Sequence, residues 1–208
     1  MAIDLQALLL PGAAVLTVEC QRGVIGPDGP LPALSAAVRE SGMVARAARV
    51  LDAARAAGVP VLHGTVVRRP DGGGVTQNCR LFASTAKSGA PLLLAGSEAQ
   101  KVIAEFGPGE RDYEVPRHHG VSLFHDTELD ALLRSLEVRT VVLLGVSLNI
   151  AIIGTTIEAV NRGYQVVLPR DGVIGTPAEY GAAVLEHSLR MLATVTTCEE
   201  IVGVLRAA

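Results

Sequence analysis

The stretch TVVLLGVSLNIAIIGTTIEAVNRGYQVVLPRD, residues 140–171, decides the fold. The run RTVVLLGV (139–146) is almost continuously apolar, the pattern of a strand covered on both faces at the centre of a parallel sheet. NIAIIGTTIEAVNRG then reads as a helix and YQVVLPRD as a second strand, so the stretch predicts strand, tight turn, helix and strand in succession. Two parallel strands joined in this way form a right-handed crossover unit.

Outward from that unit, short apolar runs keep alternating with helical patterns, the mark of stacked strand–helix–strand units. AAVLTVEC (13–20) is a buried strand, and the Gly- and Pro-rich GPDGPLP after it is a loop. In SGMVARAARVLDAARAAG, Val44, Ala47, Ala48, Leu51 and Ala54 share one helical face, and Gly58 caps the helix before Pro60. VPVLHGTVVR (59–68) and DYEVPR (112–117) read as strands. SEAQKVIAEF reads as a helix capped by Ser97, TELDALLRSLE as a helix starting at Thr127, PAEYGAAVLEHSLRMLAT as a helix with Pro177 at its start, and EEIVGVL as a short terminal helix. RPDGGG is a loop, and LFASTAKSG fits more than one state. The expected fold class is α/β: a three-layer α/β/α Rossmann-like sandwich with a mainly parallel six-stranded sheet, formed by residues 1–208 as a single domain.

Composition bounds the function. Apolar residues make up 49% of the 208 and aromatic ones only 3%, so the core comes from Ala, Val, Leu and Ile. The net charge is −3 and the eighteen Lys and Arg residues are scattered, which excludes a nucleic-acid stripe and a polybasic membrane patch. A small-molecule substrate is the expected partner, with no nucleic acid and no membrane. Asp4, Pro11 and Gly12 interrupt what a secretion signal would need, and the longest apolar runs fall short of the ~20 residues of a spanning helix. Three cysteines without CxxC spacing suit a reducing compartment, so the expected location is the cytoplasm.

In such a sheet the site lies beyond the carboxyl ends of the strands. That rule selects Glu19 to Gln21, His63, Arg117 and Gly145 to Asn149. These segments carry a resemblance. VLTVECQRGVIG, YEVPRHHGVSLFHDTELDALLRSLEV and TVVLLGVSLNIAIIGTTIEAVNRGYQVVLPRD together resemble the isochorismatase-like hydrolase superfamily over nearly the whole chain. In its cysteine-dependent branch an Asp, a Lys and a Cys act around a cis peptide in the Gly-Val turn. All three positions depart from that pattern here: Glu19 stands for the Asp, Ala151 for the Cys, and for the Lys either Arg117, counting from Asp112, or His118, counting back from Phe124.

A methyl group cannot form a thioester, so Ala151 excludes the thiol chemistry at that site. Cys20 is no substitute, because it faces opposite Glu19 and reads as core. Isochorismatases also lack the cysteine, and the resemblance implies acid-catalysed cleavage of an enol ether with Glu19 as general acid/base. That role asks burial to raise the Glu19 pKa above about 4.3, and Arg117 is expected to clamp a substrate carboxylate rather than pair closely with Glu19. The resemblance makes the Val146–Ser147 bond cis and places Val146 and Ser147 against the substrate. Gln21 either orients Glu19 or satisfies loop backbone, Asn149 either caps the helix or touches substrate, and Asp171 reads as a turn residue.

The histidines present no metal-ligand spacing: His118 and His119 diverge, His63 has no nearby carboxylate in sequence, and His187 lies on a surface-patterned helix. No metal and no cofactor are expected. Resemblance implies a homodimer or homotetramer, with the Ala-rich helix 44–57 as a candidate contact surface. Two functions compete: a thiol-independent hydrolase of a small carboxylated metabolite, and a catalytically silent family member that binds a small ligand or protein partner.

Overall fold

The computed structural model describes residues 4–27, 29–87 and 93–207. Its elements, in order, are α1 (Leu5–Leu9), β1 (Ala13–Val18), α2 (Arg22–Ile25), α3 (Pro32–Ser41), α4 (Met43–Ala56), β2 (Val61–Val66), α5 (Arg80–Lys87), β3 (Tyr113–Arg117), α6 (Leu129–Ser135), β4 (Thr140–Val146), α7 (Ile153–Asn161), β5 (Gln165–Pro169), β6 (Val173–Ile174), α8 (Ala178–His187), β7 (Thr194–Thr196) and α9 (Cys198–Arg206). Strand order is β3-β2-β1-β4-β5-β7, with the two-residue β6 added at the end of β4, and every pairing is parallel. The sheet therefore has seven strands where six were expected, the seventh being the short β6. No helix among the described residues is long and apolar enough to cross a membrane.

Alternation along the strands divides the core. Ala13, Val15, Val61, Val142, Leu144 and Val167 face one layer with Val38, Met43, Ala47, Leu51, Ile201 and Leu205, whereas Ala14, Leu16, Leu62, Val141, Leu143 and Leu168 face the other with Leu129, Leu133, Ile152, Ala159 and Val184. The apolar face of α4 is thus spent within the chain, against the sheet and α9. The outward positions Ala45, Arg49, Asp52 and Ala56 stay exposed. Gly58, at φ +69°, ends this segment as expected.

Other differences are local. Residues 97–103 form turns rather than a helix, and only Ala104–Phe106 make a 3₁₀ turn, because Gln100 and Lys101 are drawn by their carbonyls to Gln21 and Arg22. LFASTAK lies in α5, while Ser88 and Gly89 lie outside the described residues. The helix after β4 opens with a π-helical turn, Leu148–Ile152, before α7.

Gly145, at φ +112°, lies hard against the end of β1: a Cβ there would lie 2.5 Å from the Val18 carbonyl oxygen and 2.6 Å from Cys20 Sγ. Any side chain is excluded both by conformation and by space. Gly145→Ala is expected to lower unfolding free energy by about 3 kcal/mol or more in urea titrations. A loss below ~1 kcal/mol would show that the two central strands can part without consequence.

Candidate active site

Strand alternation continued past Val18 would put Glu19 on the face of Ala13, Val15 and Thr17. Instead the chain leaves the strand at Glu19 with φ +54°, a conformation uncommon outside glycine, and the Glu19 N–H donates to the Gly64 carbonyl at 2.9 Å. The carboxylate turned by this step meets Arg117 at the end of β3. Arg117 Nη2 donates to Glu19 Oε1, and the two side chains are 3% and 18% exposed. Arg117 Nη1 donates to the Val121 carbonyl at 3.3 Å, while its buried Nε has no acceptor among the described residues.

The expectation that Arg117 stays clear of Glu19 is therefore corrected: the two form a direct ion pair. The alternative His118 is exposed, and only its carbonyl is engaged, accepting from Arg68 Nη1.

Arg68, two residues beyond the end of β2 at Val66, was not singled out from the sequence, although it stands on the same rim. It is half-buried and close enough to Arg117 and Glu19 for their charges to act on it. Burial, then the positive charge of Arg117, hold its pKa below the usual arginine range, with Glu19 opposing them. No ion pair engages it among the described residues. It lines a cavity of about 270 Å³ with Gly23, Val75, Phe82 and Leu93.

Gln21 is wholly buried and serves the backbone. Its Nε2 donates to the carbonyls of Val66 (2.9 Å) and Gln100 (2.7 Å), and its Oε1 accepts from Val66 N–H at 2.7 Å. Both amide protons are committed, so Gln21 fastens β1's exit to β2 and the 97–103 turns rather than orienting Glu19.

The Val146–Ser147 bond is cis. Ser147, at the start of the π turn, donates to Asn149 Oδ1 at 2.8 Å, and Asn149 Nδ2 donates to the Thr176 carbonyl at 3.3 Å. Asn149 is therefore neither the cap nor free; it ties this turn to the segment before α8. Ala151 is buried at 2% exposure in the cluster that holds Leu148 and Phe124. Asp171 exceeds its expected turn role, since it accepts Cys198 N–H at 2.8 Å and pairs with Arg46 at 3.2 Å.

Cys20 is buried on the opposite layer, its thiol pushed far up by burial and by Glu19's charge. That thiol is not a nucleophile.

His63 does have a carboxylate partner, across the strand gap. Its Nδ1 meets Thr17 Oγ1 at 2.8 Å and its Nε2 meets Asp112 Oδ2 at 3.2 Å, while Asp112 also holds Arg55 of α4 at 2.8 Å. Hydroxyl, imidazole and carboxylate in line have the form of a nucleophile relay. Thr17 is only 1% exposed in mid-strand, however, while His63 and Asp112 line a cavity of about 500 Å³. The network joins β1, β2, β3 and α4.

Residues 13–200 match the isochorismatase domain, and the chain belongs to that family. Over 163 residues it is 28% identical to the ureidoacrylate amidohydrolase of Methylobacterium radiotolerans, covering 72% of this chain and 62% of that protein. Over 109 residues it is 29% identical to an uncharacterized isochorismatase family protein of Bacillus subtilis, covering 50% and 58%. These matches span about three fifths of the relatives' own lengths. Among solved structures, a cysteine hydrolase from Pseudomonas syringae pv. phaseolicola superposes with TM-score 0.81 at 24% identity, covering 100% of this chain and 96% of that one, a likeness of fold.

Burial holds the His63 pKa below its ordinary value, with Asp112 opposing, so the folded protein keeps it neutral where the unfolded chain, at about 6.5, binds a proton. Its contribution to stability is full above that pH and is lost as pH falls toward the lower folded pKa. Burial would raise Asp112, but Arg55, the Gly109 N–H and His63 outweigh it and leave the pKa lowered, so its contribution is lost only in the more acid range below about 4. Urea unfolding at pH 7.5 and 5.5 is expected to show lower stability at 5.5, and His63→Asn to be less stable throughout but flatter. A wild type indifferent to pH across this window would refute the assignment.

Proposed function

We propose that this chain is a hydrolase that acts on a small carboxylated metabolite without a cysteine nucleophile. The observation that carries this is a charge count at the rim: two guanidinium groups, Arg117 and Arg68, stand around one carboxylate, Glu19, in a largely desolvated place. One positive charge is left over, together with the unpartnered Nε of Arg117. An anionic group of a ligand supplies both the missing charge and the missing acceptor.

Glu19 then acts as general acid/base. Ion-paired in the free protein, it is a proton acceptor and is suited to draw a proton from water. Arg117 holds Glu19 in place, and the anion clamp moves to Arg68, with Arg117 Nε as its second donor. The cavity beside Arg68, about 270 Å³, suits a compact metabolite. Amide hydrolysis by the ureidoacrylate relative supports a hydrolytic reaction, and the three free cysteines support a reducing, cytoplasmic setting.

A second reading has an observation of its own. Ala151, where the family's thiol would stand, is 2% exposed and lies in the same apolar layer as Leu148 and Phe124, each 4% exposed. A silent member that binds a ligand through Arg68 fits that packing.

Incubation with a metabolite pool separates the two. Wild type is expected to consume one or more small carboxylates, Glu19→Gln to lose turnover by about 100-fold or more, and Arg68→Met chiefly to raise KM. Ligand binding without consumption, equal in Glu19→Gln, would establish the silent reading. Ala151→Cys is expected to give no amide turnover, because Glu19 is held by Arg117 and the position is sealed; robust amide hydrolysis would sink the thiol-free mechanism.

Self-association is proposed for the face of α7 bearing Ile157 and Val160, which are 43% and 37% exposed. Light scattering should give a multiple of 21.6 kDa, and a monomer at micromolar concentration would count against it.

A further inference from the structure

The loop from Arg117 to α6 folds back so that residues distant in function from Glu19 converge. His119 and His125 place their rings 4.8 Å apart, edge to face, and both direct Nε2 at one oxygen of Asp126: His119 at 3.2 Å and His125 at 3.7 Å. One ligand atom from each of the three lies within 4.8 Å of the others. The sequence offered no such grouping, because five residues separate the histidines and only the fold of the loop closes the gap.

The loop is built to hold this arrangement. Gly120, at φ +79°, lies under the His125 ring, and a Cβ there would meet His125 Cδ2 at 2.5 Å. Asp126 itself stands at φ +50°. Between them, Leu123 N–H donates to Thr155 Oγ1 at 3.1 Å and His125 N–H to the Ser122 carbonyl at 3.2 Å, which anchors the loop to α7 and to itself.

We propose that His119 Nε2, His125 Nε2 and Asp126 Oδ2 form a binding site for a divalent first-row transition ion of the zinc type, with solvent as the fourth ligand. A tetrahedral ion with bonds of about 2.0–2.1 Å sets its ligand atoms roughly 3.3 Å apart. The two carboxylate separations are near that value, and the imidazole nitrogens, within 4.8 Å of each other, close on the ion through ring rotation at two partly exposed side chains. Two imidazoles and a carboxylate select zinc, nickel or copper over magnesium and calcium, which prefer oxygen donors. The ion would brace the loop whose Val121 carbonyl receives Arg117 Nη1, although binding there is independent of any turnover at Glu19.

The test is isothermal titration of tag-free, EDTA-dialysed full-length protein with ZnCl₂, read alongside thermal unfolding. One equivalent per chain and a rise in Tm are expected, with no response to MgCl₂. His125→Ala and His119→Gln should each weaken binding by roughly 10-fold or more, since even groups that merely support a ligand are worth that much. Asp126→Asn, which tolerates the left-handed backbone, should weaken it while leaving the metal-free fold intact by circular dichroism. His187→Ala and Cys79→Ser, remote histidine and exposed thiol, should bind as wild type. Absence of saturable binding, or equal binding by His119→Gln and Asp126→Asn, would overturn the proposal; loss of binding in Cys79→Ser would assign the ion to that thiol and overturn it equally.

Discussion

A guanidinium at 3% exposure needs an anion, and much of the rim follows from supplying one to Arg117. Burying an isolated charge costs several kcal/mol even after relaxation, so removing its partner is far more damaging than never having the pair. The partner comes from β1, two strands away in the sheet order, because β2 lies between β1 and β3. To reach across, Glu19 leaves the strand in a left-handed conformation, at a cost of about 1–3 kcal/mol. That conformation is held in place by its neighbours: the Glu19 N–H bonds Gly64 of the intervening strand, and Gln21 spends its amide on Val66 and Gln100. The polar groups beside the pair are therefore mostly supports for its geometry.

The sheet separates two kinds of polar chemistry. Thr17, His63 and Asp112 form a closed network with Arg55, each hydrogen-bond partner matched and nearly all of it dry. It locks three parallel strands and one helix in register. The Glu19–Arg117–Arg68 group is open by contrast, with an excess cation and an orphan donor. Burial and perturbed titration occur in both places, so neither by itself marks function; what differs is whether the inventory of charges and donors closes within the protein.

The fold was legible because a buried parallel strand is continuously apolar, and RTVVLLGV and AAVLTVEC carried that pattern without ambiguity. Elements held by long-range contacts were not. The 97–103 segment has helical composition, but Gln21 and Arg22 capture its carbonyls as turns, and the π turn at Leu148–Ile152 leaves no trace in apolar spacing. At the candidate site, Glu19, Arg117 and Ala151 were singled out by resemblance. Their relation was not, because φ +54° at Glu19 reverses the side chain that alternation predicts. Arg68 could have been singled out by the rim rule applied two residues past β2. The pairing of His63 with Asp112 and of His119 with His125 depends on strand register and loop closure, which no local pattern encodes.

The three departures from the cysteine-dependent pattern are physically connected. In an Asp, Lys and Cys arrangement a short carboxylate and a point-charge ammonium both serve a sulfur atom. Here the carboxylate is a methylene longer and the cation is a planar fork that binds an oxygen directionally. Such a pair bonds directly between the end of β1 and the end of β3, and the methyl of Ala151 offers it no polar atom. A thiol there would be buried, as Cys20 is on the opposite face, and a methyl in the layer that holds Leu148 and Phe124 fills the place without a polar group to desolvate. Ala151 thus leaves the polar chemistry of this rim to Glu19, Arg117 and Arg68.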